Sequence, residues 1–204
     1  ALDSWYFLGL CYRKIGEEKA SRQCFETVAT SWTEGKFVEA SSLYLASDDY
    51  DASEWSSAAK WFAITAKVTT DKKIRQESLY RRFLCYSKLE DNTGTLLALK
   101  EVLKDEDTPF AETARLALAR LYRSSKVLRE AHDQYVILSS SPKKEIRSEA
   151  ILQAALTADE LKDPKLAKIW FAKALKEDGL KEYRGQTQIA LMNLHYTSKE
   201  WTEV

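Results

Sequence analysis

Catalysis and metal binding need side chains that can hold a proton, a metal or a reactive electron pair, and this chain has few of them at cooperative spacings. His132 and His195 are the only histidines in 204 residues. They lie far apart and outside any H-x-x-x-H, H-E-x-x-H or C-x-x-C setting, which reads as satisfied or surface imidazoles rather than ligands. Cys11, Cys24 and Cys85 are odd in number and include no C-x-x-C pair, so they indicate neither a disulfide framework nor a zinc site. Small buried thiols is the reading they receive. Cys11 and Cys24 fall on consecutive helices of one expected hairpin, which leaves a bridge geometrically open. Asp48-Asp49 and Glu17-Glu18 sit in polar stretches and are read as solvated carboxylates with no raised pKa. The chain has no phosphate-cradling glycine loop and no G-x-S-x-G nucleophile turn. It is read as non-enzymatic, needing no cofactor and no metal.

Charge narrows the partners. Thirty-one Lys and Arg balance thirty-one Asp and Glu, so no global field draws the chain to nucleic acid or an anionic membrane. The apolar runs are only a few residues long, against the roughly 20 that span a bilayer. No leader-like segment opens the sequence.

The elements that would position any site are helices. Glycine and proline are scarce, six and three, and apolar residues recur three and four apart, as at Leu116, Ala119, Leu121 and Tyr122. Thr108-Pro109, Ser141-Pro142 and Asp163-Pro164 read as N-cap plus first-turn pairs. A fixed period is present as well. Slots following a large residue hold Gly9, Ala46, Phe83, Ala119, Ala155 and Met192, at steps of 37, 37, 36, 36 and 37. A second small slot holds Ser21, Ala58, Thr95, Ala131 and Ala167. Four residues further, a bulky slot holds Phe25, Phe62, Leu99, Tyr135 and Phe171. Small residues let two helix axes approach while aromatics fill the groove beside the crossing. Trp55, Trp61, Trp170 and Trp201 are assigned that filling role.

The run Trp5-Tyr6-Phe7-Leu8-Gly9-Leu10-Cys11-Tyr12, followed by Phe25, resembles the tetratricopeptide-repeat signature W-x2-L-G-x2-Y, A-x3-F, P. Leu118, Ala119, Tyr122, Ala131 and Tyr135 repeat it. The departures are Ser21 and Thr95 for alanine, Arg82 for leucine, Asp49 and Ala158 for tyrosine, and a terminal proline that is mostly absent. The resemblance implies an all-α, right-handed superhelical solenoid of about five and a half helix pairs. The expected copies are 2–38, 39–75, 76–111, 112–147, 148–184 and a partial 185–204. Because both ends fall inside a copy, the chain is read as a segment of a longer protein.

The resemblance also implies a function: a scaffold that holds a peptide or helix of another protein in a concave groove lined by the first helix of each pair. The expected apolar spine includes Tyr6, Leu10, Leu43, Tyr50, Tyr80, Leu84, Leu116, Leu152, Leu156, Ile189 and Tyr196. The candidate partner-binding residues are Tyr6, Arg13, Tyr50, Tyr80, Lys88, Leu116, Arg120, Arg123 and Tyr196. Residues 112–147 carry eight Lys/Arg against four Asp/Glu. Lys88, Arg120 and Arg123 are expected to converge on a partner carboxylate, as exposed charges with few contacts inside the chain. Two alternatives stand beside this reading. One is self-association into a homodimer through the terminal repeats. The other is base-by-base RNA reading, which the apolar series Tyr6, Leu43, Tyr80, Leu116, Leu152 and Ile189 disfavours. Partner identity is not given. The spacing above 34 resembles bacterial cell-envelope members of the family, with the cytoplasm left open.

Overall fold

The computed structural model describes residues 2–197, and among these every regular element is helical. The α-helices are α1 (Leu2–Lys14), α2 (Glu18–Ser31), α3 (Lys36–Asp51), α4 (Trp55–Val68), α5 (Lys72–Lys88), α6 (Asn92–Val102), α7 (Ala111–Ser124), α8 (Leu128–Leu138), α9 (Lys144–Glu160), α10 (Pro164–Lys176) and α11 (Arg184–Thr197). A 3-10 turn at Asp178–Tyr183 precedes α11. The chain divides into two compact units, residues 1–110 and 111–204. Within each unit, every helix packs on its neighbours in sequence. Trp201 lies outside the described residues.

Three-residue turns join the two helices of each hairpin, and all five turns have one geometry. The residue two before each second helix has positive φ: Gly16 (82°), Ser53 (63°), Glu90 (55°), Lys126 (61°) and Lys162 (57°). Its N–H and the next one close back onto carbonyls of the preceding turn. Lys162 N–H donates to Asp159 at 2.9 Å and Asp163 N–H to Ala158 at 3.2 Å. This is the left-handed termination that satisfies the orphan carbonyls of a helix end. Only the first turn fills the position with glycine, so composition gives little sign of the other four.

The repeating slots are the core. Phe25, Phe62, Leu99, Tyr135 and Phe171 are all buried, as are Ser21, Ala58, Thr95, Ala131 and Ala167. Gly9 sits where a Cβ would lie 3.0 Å from Phe25 Cε1 and 3.1 Å from Cys24 Cβ. Ser21 keeps its polar atom inside by donating to the Gly9 carbonyl at 2.9 Å. Trp170 packs in the core of the second unit, and Trp55 and Trp61 pack beside the cluster around Ala58 and Phe62.

Several expectations are corrected. Met192 occupies a small-residue slot but is 54 % exposed, because no described helix follows α11 to cover it. Asp163 caps α10 as expected, accepting from Leu166 N–H at 3.0 Å with Pro164 at the first position. Thr108-Pro109 and Ser141-Pro142 instead form turns ahead of their helices. Thr108 Oγ1 accepts from Phe110 N–H at 3.4 Å, Ser141 Oγ accepts from Lys143 N–H at 3.1 Å, and α9 begins only at Lys144. Among the three cysteines, Cys24 and Cys85 are buried while Cys11 is exposed.

Candidate functional site

In the second unit, the first helices of successive hairpins, α7 and α9, form a polar seam. Arg120, Arg123 and Lys126 recur at three-residue intervals along and just beyond α7, which puts them on one side of the helix. Glu149, Gln153 and Glu160 answer from α9. Arg120 Nε donates to Glu149 Oε1 at 2.9 Å, and Arg123 Nε donates to Glu160 Oε1 at 3.0 Å. Arg123 also donates to Gln153, and Lys126 reaches Glu160 at 3.2 Å. The Arg123 guanidinium, with Lys126, holds the Glu160 carboxyl below its usual range against the opposing effect of burial. These groups, with Ser124 and Tyr135, line an open recess of about 380 Å³.

A second recess of about 650 Å³ adjoins it, sharing Glu149 and Gln153, and runs past Leu152 to Asp178, Lys181, Glu182 and Tyr183. Its wall is held by Glu177. Burial works against the charge of this carboxylate, but Arg147 and Ser148, the latter donating at 3.0 Å, bring its pKa below the usual value. Similar ties fix the start of α7 to the loop before α9, where Ser141 and Lys143 bind Glu112 and lower its pKa.

The expected basic trio is therefore not a set of free charges. Arg120 and Arg123 are brought together but are neutralised by α9. Lys88 ends α5 in the first unit and is exposed. Reversing both arginines (Arg120→Glu with Arg123→Glu) is expected to lower stability by about 1–3 kcal/mol in urea melts, since partly exposed pairs are lost and like charges then face each other. Adding Glu149→Lys and Glu160→Lys is expected to restore most of the loss. An unchanged melting point in the double reversal would show the seam to be energetically idle.

The other candidates sort by burial. Leu116 is 9 % exposed and belongs to the core cluster with Ala119, Tyr135 and Ile151, so it packs inward rather than presenting a binding face. Tyr6 is half-buried in an aromatic group with Phe7, Phe25 and Phe37. Arg13 is exposed and lies over the Tyr44 ring at 4.5 Å. Tyr50 packs edge-on to Trp55 and Phe62, and Tyr80 stacks on Phe110 at 4.3 Å. Tyr196, on α11, is 64 % exposed.

Sequence reasoning missed the buried charges. Asp49, read as solvated, is 3 % exposed. Its Oδ1 and Oδ2 accept from Arg22 at 2.7 and 3.1 Å, and this pairing raises the arginine's already high pKa. The only sequence signal was a carboxylate in a tyrosine slot.

His132 is also more enclosed than its sequence setting suggests. It is 6 % exposed, sits edge-on to Trp170 at 5.7 Å, and its Nε2 is buried without a hydrogen-bond partner. Burial pushes its pKa below 6.5, partly opposed by Asp133 and Asp163. A folded pKa below the unfolded one means that the unfolded chain takes the proton first. Stability is thus fully present above pH 6.5 and falls as the pH drops through that value towards the folded pKa. The variant His132→Phe is expected to flatten this part of the stability profile in urea melts at stepped pH, and an identical slope in both proteins would refute the assignment. Among the described residues, no group of three or more His, Cys, Asp or Glu could hold a metal ion, and no helix is long and apolar enough to cross a membrane.

Comparison with known proteins agrees with this architecture. Residues 2–31 match the family model of the tetratricopeptide repeat. No curated protein matches the chain. The crystal structure of a TPR repeats protein from Bacteroides fragilis is similar at 11% identity and a TM-score of 0.57, covering 95% of this chain and 99% of that one. The TPR-like repeats of a putative kinesin light chain from Podosopora anserina are similar at 16% identity and a TM-score of 0.50, covering 92% of this chain and 96% of theirs.

Proposed function

We propose that this chain, which has the tetratricopeptide-repeat fold, is a non-catalytic scaffold that receives an extended peptide or a helix of a partner protein along the first-helix face of its hairpins. Tetratricopeptide repeats generally serve as protein-interaction scaffolds. The observation that carries the reading for this chain is the pair of adjoining recesses on α9. They share Glu149 and Gln153 and together offer hydrogen-bonding groups of both signs beside Leu152 and Tyr183. Such a surface suits a partner of mixed polarity better than a purely acidic one, since the arginines nearest it already carry carboxylate partners. A tyrosine at the edge adds apolar area and a hydroxyl at small entropic cost.

The test is a paired capture experiment using the chain and a variant with Glu145→Lys, Lys181→Glu and Tyr183→Ala, all exposed positions. A protein bound by the first and lost from the second, with both baits equally helical by circular dichroism, supports the groove. A partner retained by both sinks this placement.

A further inference from the structure

The hairpin of α5 and α6 encloses a recess that the proposed groove does not use. On α5, Lys72, Arg75, Gln76 and Leu79 fall on one side at helical spacing. All four line a recess of about 450 Å³, closed on its other side by Val102 and the residues around the end of α6. That volume lies in the lower part of the range that small-molecule sites occupy. The lining includes neither Tyr80 nor Lys88, the α5 residues assigned to partner binding. Leu79 is half-buried and Val102 is 3 % exposed, so the floor is aliphatic. Hydrocarbon laid on such a floor is removed from water, which is favourable.

The charges around this floor are unevenly satisfied. Asp105 accepts from Gln76 Nε2 at 2.6 Å and pairs with Lys72 at 3.2 Å. Glu101 pairs with Arg82 at 2.6 Å. Both carboxylates on the wall therefore already have cations. Arg75 and Lys104 line the same recess, and among the described residues neither meets a carboxylate. Arg75 Nη2 donates to the Thr69 carbonyl at 2.7 Å, which holds the guanidinium in place and leaves Nε and Nη1 without partners. A side chain already held loses little freedom when a ligand arrives. We propose that this recess binds a small amphiphilic carboxylate, its hydrocarbon body against Leu79 and Val102 and its carboxylate on Arg75 and Lys104. A bare inorganic anion would leave the aliphatic floor uncovered, and an alkylamine would face two like charges. The inference is independent of the groove on α9 and survives if that reading fails.

Octanoate at neutral pH is the probe, followed on this chain by proton–nitrogen correlation NMR. The Val102 amide and the Gln76 side-chain amide are expected to shift saturably, with half-saturation near about 1 mM and hexanoate about tenfold weaker. Octylamine is expected to shift neither. Arg75→Gln with Lys104→Gln is expected to weaken octanoate about tenfold, because two partly exposed pairs are lost. Lys19→Gln with Lys60→Gln removes the same charge at exposed lysines elsewhere in the first unit and should leave binding unchanged. No saturation by about 10 mM, or shifts confined to other residues, would overturn the proposal. So would octanoate binding unaltered by the loss of Arg75 and Lys104. Octylamine bound as tightly at the same amides would reduce the site to apolar adhesion, and that comparison needs no variant. Equal binding of the doubly blocked peptide acetyl-Leu-Glu-Leu-amide would overturn the small-molecule ligand in favour of a peptide side chain.

Discussion

Replacing Arg22 with methionine is expected to lower the free energy of unfolding by about 3 kcal/mol. The reason lies in Asp49. Its carboxylate is 3 % exposed and receives two hydrogen bonds from the one guanidinium, at 2.7 and 3.1 Å. Removing the arginine leaves a charge in a site that water hardly reaches. The guanidinium is itself about one-third exposed and also contacts Asp48 and Glu26. That partial hydration keeps the expected loss at the lower end of what breaking a buried pair costs. The double variant Arg22→Met with Asp49→Leu removes both charges together and is expected to regain most of the stability. Urea titrations of the three proteins measure this directly. A double variant as unstable as Arg22→Met would mean that the pair matters for its shape and not for its charge.

Gly9→Leu is expected to cost about 2–3 kcal/mol by overpacking. The first added carbon would already stand 3.0 Å from the Phe25 ring, and Phe25 is 1 % exposed with no room to retreat. Alanine at the same place is a different matter. It gains about 1 kcal/mol of helix propensity over glycine, which roughly offsets the tight contact. Thermal melts should therefore separate Leu sharply from Ala. If Gly9→Leu melts with the parent, α1 and α2 do not cross at this residue.

Where sequence and structure agree, the signal was a residue type recurring at a fixed step, because packing of like hairpins demands like volumes. Phe25, Phe62, Leu99, Tyr135 and Phe171 are legible for that reason. The candidate site was read less well, and each miss has its own cause. Leu116 and its neighbours obey the same helical period on the inward and outward faces, so periodicity alone could not say which way the side chain points. Arg120 and Arg123 were visible as a basic pair, but Glu149 and Glu160 lie 29 and 37 residues away. Only the return of the chain through α8 brings them within reach. The Arg22–Asp49 pair hid in the same way, with the added difficulty that a lone aspartate in a polar run looks solvated.

The five hairpin turns have a consequence of another kind. The bonds that close them run between main-chain groups, with side-chain caps added by Asp91 and Asp163 only at the start of the next helix, and the left-handed position holds Gly16, Ser53, Glu90, Lys126 or Lys162 with one backbone geometry. A joint that does not read its side chains can be copied whole and then drift in composition without changing the angle at which its helices meet. The price falls on four non-glycine residues in a conformation L side chains rarely adopt. What it permits is divergence: one backbone template carrying successive surfaces as unlike as the aromatic α1 and the salt-bridged α7.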